Sequence, residues 1–289
     1  MRYRGLVIRP PSEAHSYILQ VTYGCSHNAC TFCPTYKGTR FQPRPLEEIR
    51  EDIAAAGRLI PLTRRVFLAD GNALCLPADH LASILSWLRK AFPRLERVGI
   101  YANGSDINEK SRQELRQLTG LGLGIVYLGL ESGDDEVLRR VRKRDGSEEM
   151  VQAVIKAREC GLRTSVIVLL GLAGKEGSLR HARLSAEAVS RMRPEYLSAL
   201  TLMVVPGTPL HAEQERGDFT LPDQEGLLQE LREFIRCCRL EGCVFRSNHA
   251  SNYLPLKGIL SRDEERLLQC IDEGMRRPQA LRPEYMRGL

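Results

Sequence analysis

The sequence predicts an α/β fold in which parallel strands alternate with helices. Three observations carry this. First, six short runs, at residues 16–21, 65–68, 97–102, 124–130, 164–170 and 196–205, are rich in Val, Ile, Leu and Tyr, as strands covered on both faces are. Second, amphipathic segments lie between them. Leu81, Ile84, Leu85 and Leu88 fall at i, i+3, i+4 and i+7, one apolar face of a helix. Met150, Val151, Val154 and Ile155 repeat the logic, and Pro45 opens a further helix with Glu47 and Glu48 in its first turn. Third, the 289 residues are 43% hydrophobic and 27% charged, enough apolar material for one large barrel-type core and too much for a disordered chain.

Taken in order, the six strand–helix alternations fit an open or partial barrel or a doubly wound sheet. Both architectures place the site at the C-terminal ends of the strands. The loops beginning at Thr22, Ala69, Asn103, Glu131, Gly171 and Pro206 therefore form one expected functional rim. After Gly217 the pattern changes. Residues 221–239 read as a helix, 242–255 as irregular or strand-like, and 261–275 as a last helix, with Ser261 as N-cap and Glu264 completing a capping box. Fewer than ~75 residues make a marginal core, so 217–289 is expected to be a helical extension that covers a core spanning 1–216.

No apolar run approaches the ~20 residues of a membrane span, and Met1-Arg2-Tyr3-Arg4 lacks the apolar stretch of a secretory signal. A cytoplasmic, non-membrane protein is expected. The net charge of +6, from 42 Lys+Arg against 36 Asp+Glu, lies mostly in arginines scattered along helices, which read as solvated faces. No basic stripe interleaved with aromatics is present, which argues against a nucleic-acid partner. Nine cysteines, an odd number without an export signal, argue against a disulfide framework.

The first predicted strand runs into Thr22-Tyr23-Gly24-Cys25-Ser26-His27-Asn28-Ala29-Cys30-Thr31-Phe32-Cys33. Three thiols in a C-x4-C-x2-C spacing can converge on one soft metal centre. Zinc wants a fourth ligand, which His27 could supply only from within the tight loop. Three cysteines with a vacancy suit a cubane iron–sulfur cluster that keeps one iron open, and Gly24 lets the backbone turn closely around such a group.

On these residues the chain resembles the radical S-adenosylmethionine (SAM) superfamily, most of all the group sharing the elongator, coproporphyrinogen-oxidase and methylthiotransferase type of SAM domain. The resemblance spans roughly residues 16–210. The commonest spacing there is C-x3-C-x2-C, and this chain has one residue more. The resemblance implies a partial (βα)6 TIM-like barrel with a C-terminal helical cap. It implies that Cys25, Cys30 and Cys33 hold a [4Fe–4S] cluster, and that SAM bound to the open iron is cleaved reductively. The resulting 5′-deoxyadenosyl radical would take hydrogen from a small-molecule or peptide substrate. Phe32 falls beside the adenine in relatives. Asp70-Gly71-Asn72 stands where relatives carry a Gly-Gly-Glu-like loop for the SAM amino group, and the residues differ. Glu131 and Ser132 fall at the strand end that reaches the ribose, Lys143 at the basic position facing the carboxylate, and Gly171 in the glycine-bearing segment beside the adenine. A low-potential flavodoxin or ferredoxin is implied as electron source, and oxygen sensitivity with it.

The extension carries Arg246-Ser247-Asn248-His249-Ala250-Ser251-Asn252-Tyr253, more hydrogen-bonding side chains than a plain loop needs. His249, Ser251, Asn252 and Tyr253 are candidates for the substrate side, the alternative being that they satisfy their own loop. Cys237, Cys238 and Cys243 could bind a second cluster, a metalloid or nothing, and core filling is the simpler reading. Two further readings stand beside the main one. One is a tRNA-modifying enzyme of the same superfamily, and the other a non-catalytic protein that uses zinc as a structural clip.

Overall fold

The computed structural model describes Arg2–Gly288. Its strands and α-helices follow in the order β1 (Tyr17–Gln20), β2 (Thr22–Tyr23), β3 (Gln42–Pro43), α1 (Leu46–Leu59), β4 (Arg65–Ala69), α2 (Ala78–Ala91), β5 (Arg97–Ala102), α3 (Gly104–Asn108), α4 (Arg112–Gly120), β6 (Leu123–Glu131), α5 (Asp135–Arg140), α6 (Ser147–Glu159), β7 (Arg163–Leu170), α7 (Gly174–Met192), β8 (Tyr196–Thr201), α8 (Pro209–Glu215), α9 (Gln224–Cys237), β9 (Cys243–Ser247), β10 (Leu256–Leu260) and α10 (Glu264–Arg276). Each of the six predicted apolar runs contains a strand. The chain divides into two compact units. The first comprises the chain up to Asn28, Thr35–Leu128 and Gln152–Thr164, and the second Ala29–Pro34, Gly129–Val151 and the chain from Ser165 on.

In the first unit β1, β4, β5 and β6 pair in parallel, with Tyr17 opposite Val66, Arg65 opposite Arg97 and Ile100 opposite Val126. Val66, Phe67, Leu68 and Ala69 of β4 are fully buried, which is why a covered parallel strand reads as an unbroken apolar run. The predicted stripe of α2 is also buried at all four positions, each worth about 1.5–3 kcal/mol of transfer free energy. Ahead of β1, the fully buried Glu13 accepts hydrogen bonds from Ser16, Arg97 and Tyr127, so its carboxylate is not left uncompensated.

In the second unit β7, β8 and β9 are parallel and β10 returns antiparallel to β9. The strand-like part of 242–255 is thus β9. It extends the β8 edge, with Tyr196 opposite Val244 and Ser198 opposite Arg246. Helix α9 starts later than expected, because Asp223 caps it by accepting Gly226 N–H at 2.8 Å. The capping box at Ser261 does not form. Asp263 instead accepts Ile259 N–H at 2.8 Å and pairs with Arg262 at 3.2 Å, holding 259–263 in a turn so that α10 begins only at Glu264. Among the described residues no helix is long and apolar enough to cross a membrane.

Candidate active site

In the first unit, the loop after β2 carries Cys25 and is anchored to the loop after β4. Gly24 takes φ +80°, a region that favours glycine. Gly71 lies directly against the cysteine backbone, where an added Cβ would stand 2.5 Å from Cys25 Cα and 2.6 Å from Gly24 O. Asn72, 1% exposed, uses its whole amide. Its Oδ1 accepts Ser26 N–H at 2.9 Å, and its Nδ2 donates to Ser26 Oγ and to the Asp106 carboxylate, both at 2.8 Å. Cys25 Sγ lies 3.6 Å from Asn72 Oδ1. Asp70 is equally engaged. It accepts Gln20 Nε2 at 2.9 Å, Gly24 N–H at 3.2 Å and the Tyr36 hydroxyl at 3.0 Å, and that hydroxyl accepts Gly71 N–H at 3.0 Å. Burial raises the Asp70 carboxyl above its ordinary range, against the pull of these donors. Asn28 bends to φ +41° and donates to Tyr36 O at 2.7 Å and Thr39 O at 3.2 Å.

In the second unit, the segment with Cys30 and Cys33 is held by backbone bonds, Thr31 N–H to Val141 O at 2.9 Å and Leu210 N–H to Thr31 O at 3.1 Å. Phe32 packs against a cluster of Val137, Val141, Leu172, Ala173, Leu202, Leu210 and Phe219. Glu131 ends β6 in the left-handed region at φ +63°, and Ser132 N–H closes on Leu130 O at 2.8 Å. An i→i+2 bond around a residue of positive φ marks a rare, strained γ-turn. The Glu131 side chain folds over Gly129, where a Cβ would stand 2.0 Å from Glu131 Oε1. Lys143 Nζ lies 3.4 Å from the same oxygen. Burial pulls the Lys143 ammonium down, but Glu131 and then Cys30 outweigh it, and the net shift is upward. Ser132 is fully buried and accepts Asp134 N–H at 2.9 Å, forming the turn into α5. Gly171, at φ +84°, donates its N–H to Glu230 Oε1 at 2.9 Å.

The polar run of the extension is largely committed internally. Ser251 and Asn252 are buried, and they bond Thr201 N–H at 3.3 Å, Thr201 Oγ1 at 2.8 Å and Ala199 O at 3.0 Å. His249 Nδ1 accepts Ser251 N–H at 3.2 Å, which places the ring proton of the neutral form on Nε2. The Tyr253 hydroxyl meets Glu284 at 2.5 Å and Arg287 at 2.6 Å. Cys238 and Cys243 are buried at 4% and 1% exposure, and burial pushes the Cys238 thiol far up, as in a core filler.

All nine cysteines are thiols rather than disulfides. Cys25, Cys30 and Cys33 are half-buried, and three such thiols in nine residues fit a soft iron centre in donor type and spacing. Among the described residues no three His, Cys, Asp or Glu side chains already stand in metal-holding geometry. The sequence reading missed Tyr36, Asp106, His181 and Glu230, which act from distant parts of the chain. One signal was legible. Glu230 falls on the apolar stripe of Leu227, Leu231 and Phe234, where a carboxylate is out of place unless it is paired.

The profile of the radical SAM superfamily matches residues 19–177, more than half of the chain, and the chain belongs to that superfamily. Heme chaperone HemW of Bacillus subtilis (strain 168) is 22% identical over 210 residues, covering 70% of this chain and 54% of HemW. Among solved structures, coproporphyrinogen III oxidase (HemN) of Escherichia coli superposes with a TM-score of 0.60 at 19% identity, over 76% of this chain and 52% of HemN. Methylornithine synthase (PylB) superposes with a TM-score of 0.56 at 17% identity, over 89% of this chain and 68% of PylB. The chain spans about half the length of HemW and HemN. The fold is α/β, of the radical SAM partial-barrel type, and the chain is an enzyme. Membership supports SAM-cleaving radical chemistry with iron–sulfur and SAM binding.

Proposed function

We propose that this enzyme cleaves SAM reductively and uses the 5′-deoxyadenosyl radical to abstract hydrogen from a small-molecule or peptide substrate. The supporting observation is the C-x4-C-x2-C trio, lying inside the matched region 19–177. Cys25, Cys30 and Cys33 would hold a [4Fe–4S] cluster, which supplies the electron that breaks the sulfonium S–C bond. The residues of the chain do the rest. Glu131 accepts from the ribose hydroxyls, and Lys143, held as an ammonium, faces the SAM carboxylate. Phe32 and Gly171 border the adenine. Ser132 shapes the turn that carries Glu131. Asp70, Gly71 and Asn72 fix the cysteine loop, and backbone carbonyls there receive the SAM amino group.

Residues 217–289 would cover the substrate, with His249, Ser251, Asn252 and Tyr253 shaping that side through the β8 end. The electron donor would be a flavodoxin or ferredoxin, the setting the cytoplasm, and the loaded enzyme oxygen-sensitive. HemW and PylB carry names of different activities, which supports keeping the substrate class broad. The test is anaerobic reconstitution with iron and sulfide, followed by dithionite and SAM. Wild type should release 5′-deoxyadenosine, and Cys30→Ala should lose both the cluster absorbance and the release. A variant that still cleaved SAM at the wild-type rate would overturn the cysteine assignment.

A further inference from the structure

The second unit holds a buried pair that the proposed chemistry does not use directly. His181 of α7 and Glu230 of α9 have no exposed surface. His181 Nδ1 meets Glu230 Oε1 at 2.9 Å, and His181 Nε2 meets Glu131 O at 3.2 Å. A carbonyl oxygen can only accept, so Nε2 carries a proton. Glu230 also accepts Gly171 N–H at 2.9 Å and the Ser178 hydroxyl, and both of its oxygens are thus engaged. Beside the pair, Ser185 Oγ accepts Gly133 N–H at 2.8 Å, and a Cβ on Gly133 would stand 2.2 Å from Leu184 O.

We infer that His181 and Glu230 are positioning residues that lock the strained turn at Glu131 and the turn at Gly171 into one rigid frame, so that the Glu131 carboxylate is presented to the SAM ribose. A γ-turn around a non-glycine residue persists only where its surroundings over-determine it. Here the Glu131 carbonyl is fixed by His181, the ring is fixed by Glu230, and the same carboxylate fixes Gly171. Both left-handed residues at these strand ends are thereby tied to one side chain of α9. The C-terminal region thus supplies a structural part of the cofactor side, in addition to any role over the substrate. The two helices that bring the pair together, α7 and α9, pack directly on each other.

This inference rests on the reading of Glu131 as a SAM contact, and the experiment separates the two. Iron-reconstituted wild type, His181→Ala, His181→Gln, Glu230→Ala and Glu131→Ala are compared by iron content, by amide hydrogen exchange at 130–133 and 171–174, and by the SAM dependence of 5′-deoxyadenosine release. In His181→Ala and Glu230→Ala, iron content should match wild type, exchange at both segments should quicken by about tenfold or more, and KM for SAM should rise about tenfold with kcat little changed. His181→Gln, whose amide can still donate to Glu131 O, should recover most of the affinity. Unchanged exchange and unchanged KM in His181→Ala would overturn the positioning role, as would a loss of kcat alone. Quickened exchange in these variants, with Glu131→Ala binding SAM as wild type does, would uphold the frame and remove Glu131 as the SAM contact. If Glu230→Ala fails to fold, His181→Ala and its rescue by His181→Gln decide.

Discussion

The loops after β4 and after β6 occupy equivalent places in the strand–helix repeat, yet they spend their polar residues differently. After β4, Asp70 and Asn72 are buried and saturated by Gln20, Gly24, Ser26, Tyr36 and Asp106. After β6, Glu131 turns its carboxylate toward the Lys143 ammonium at 3.4 Å, while its own backbone bears the strain. A polar side chain at a strand end is therefore not a ligand by position alone. It can serve a ligand only if its hydrogen-bonding capacity is left over after folding. On that criterion the first loop braces the cysteine loop, and the second is the one proposed to receive a ligand.

The sharpest way to break this contrast is Gly71→Ala. An added Cβ 2.5 Å from Cys25 Cα forces one of the two backbones to move, and most of the iron bound on reconstitution should be lost. Iron and sulfide assays that match wild type would show that the clamp is dispensable. Asn72→Ala comes next. It strips the buried Asp106 carboxylate of a donor, and stability should fall by about 1–3 kcal/mol, read as the shift of a denaturant midpoint. Glu131→Ala should leave iron content near wild type while weakening SAM binding about tenfold in equilibrium dialysis, with the midpoint lowered because the Lys143 ammonium loses its partner. Iron loss as large as that of Gly71→Ala would erase the distinction between brace and receptor.

The smallest effect concerns pH. Burial first, and Arg282 second, lower the His249 imidazole below its ordinary 6.5. The unfolded chain therefore binds the proton more readily than the folded one. The stability held by neutral His249 is complete above about 6.5 and declines as pH falls below it. Midpoints of wild type and His249→Gln should converge on acidification from pH 7.5 to 5.5. Parallel curves would show that His249 titrates as it does in the open chain.

Much of the fold was written locally. A strand covered on both faces must be apolar throughout, so β4 and β7 declare themselves, and the stripe of α2 does so through its period. β9 was harder, because five residues with one exposed arginine, Cys243–Ser247, carry little pattern. The Ser261 box failed because a tertiary-independent rule met a stronger local competitor in Asp263. In the candidate site, the thiol trio and the order of Glu131 and Lys143 can be proposed from sequence because each lies within one short segment. Tyr36, Asp106, His181 and Glu230 cannot be, because their roles exist only once segments tens of residues apart meet. Lys143 shows the same limit at closer range. Its neighbours Arg142 and Arg144 are equal in sequence, and only the fold turns the lysine toward Glu131.

Asn28 bends inside the cysteine loop. It stands between the first two thiols, in a span one residue longer than the commonest C-x3-C arrangement, and it is the residue of that span bent to positive φ and tethered to two carbonyls at Tyr36 and Thr39. Its side chain thus stitches the cysteine loop to the downstream bend. Asn28→Ala would remove both of those side-chain hydrogen bonds at once and loosen the cysteine loop and the bend together.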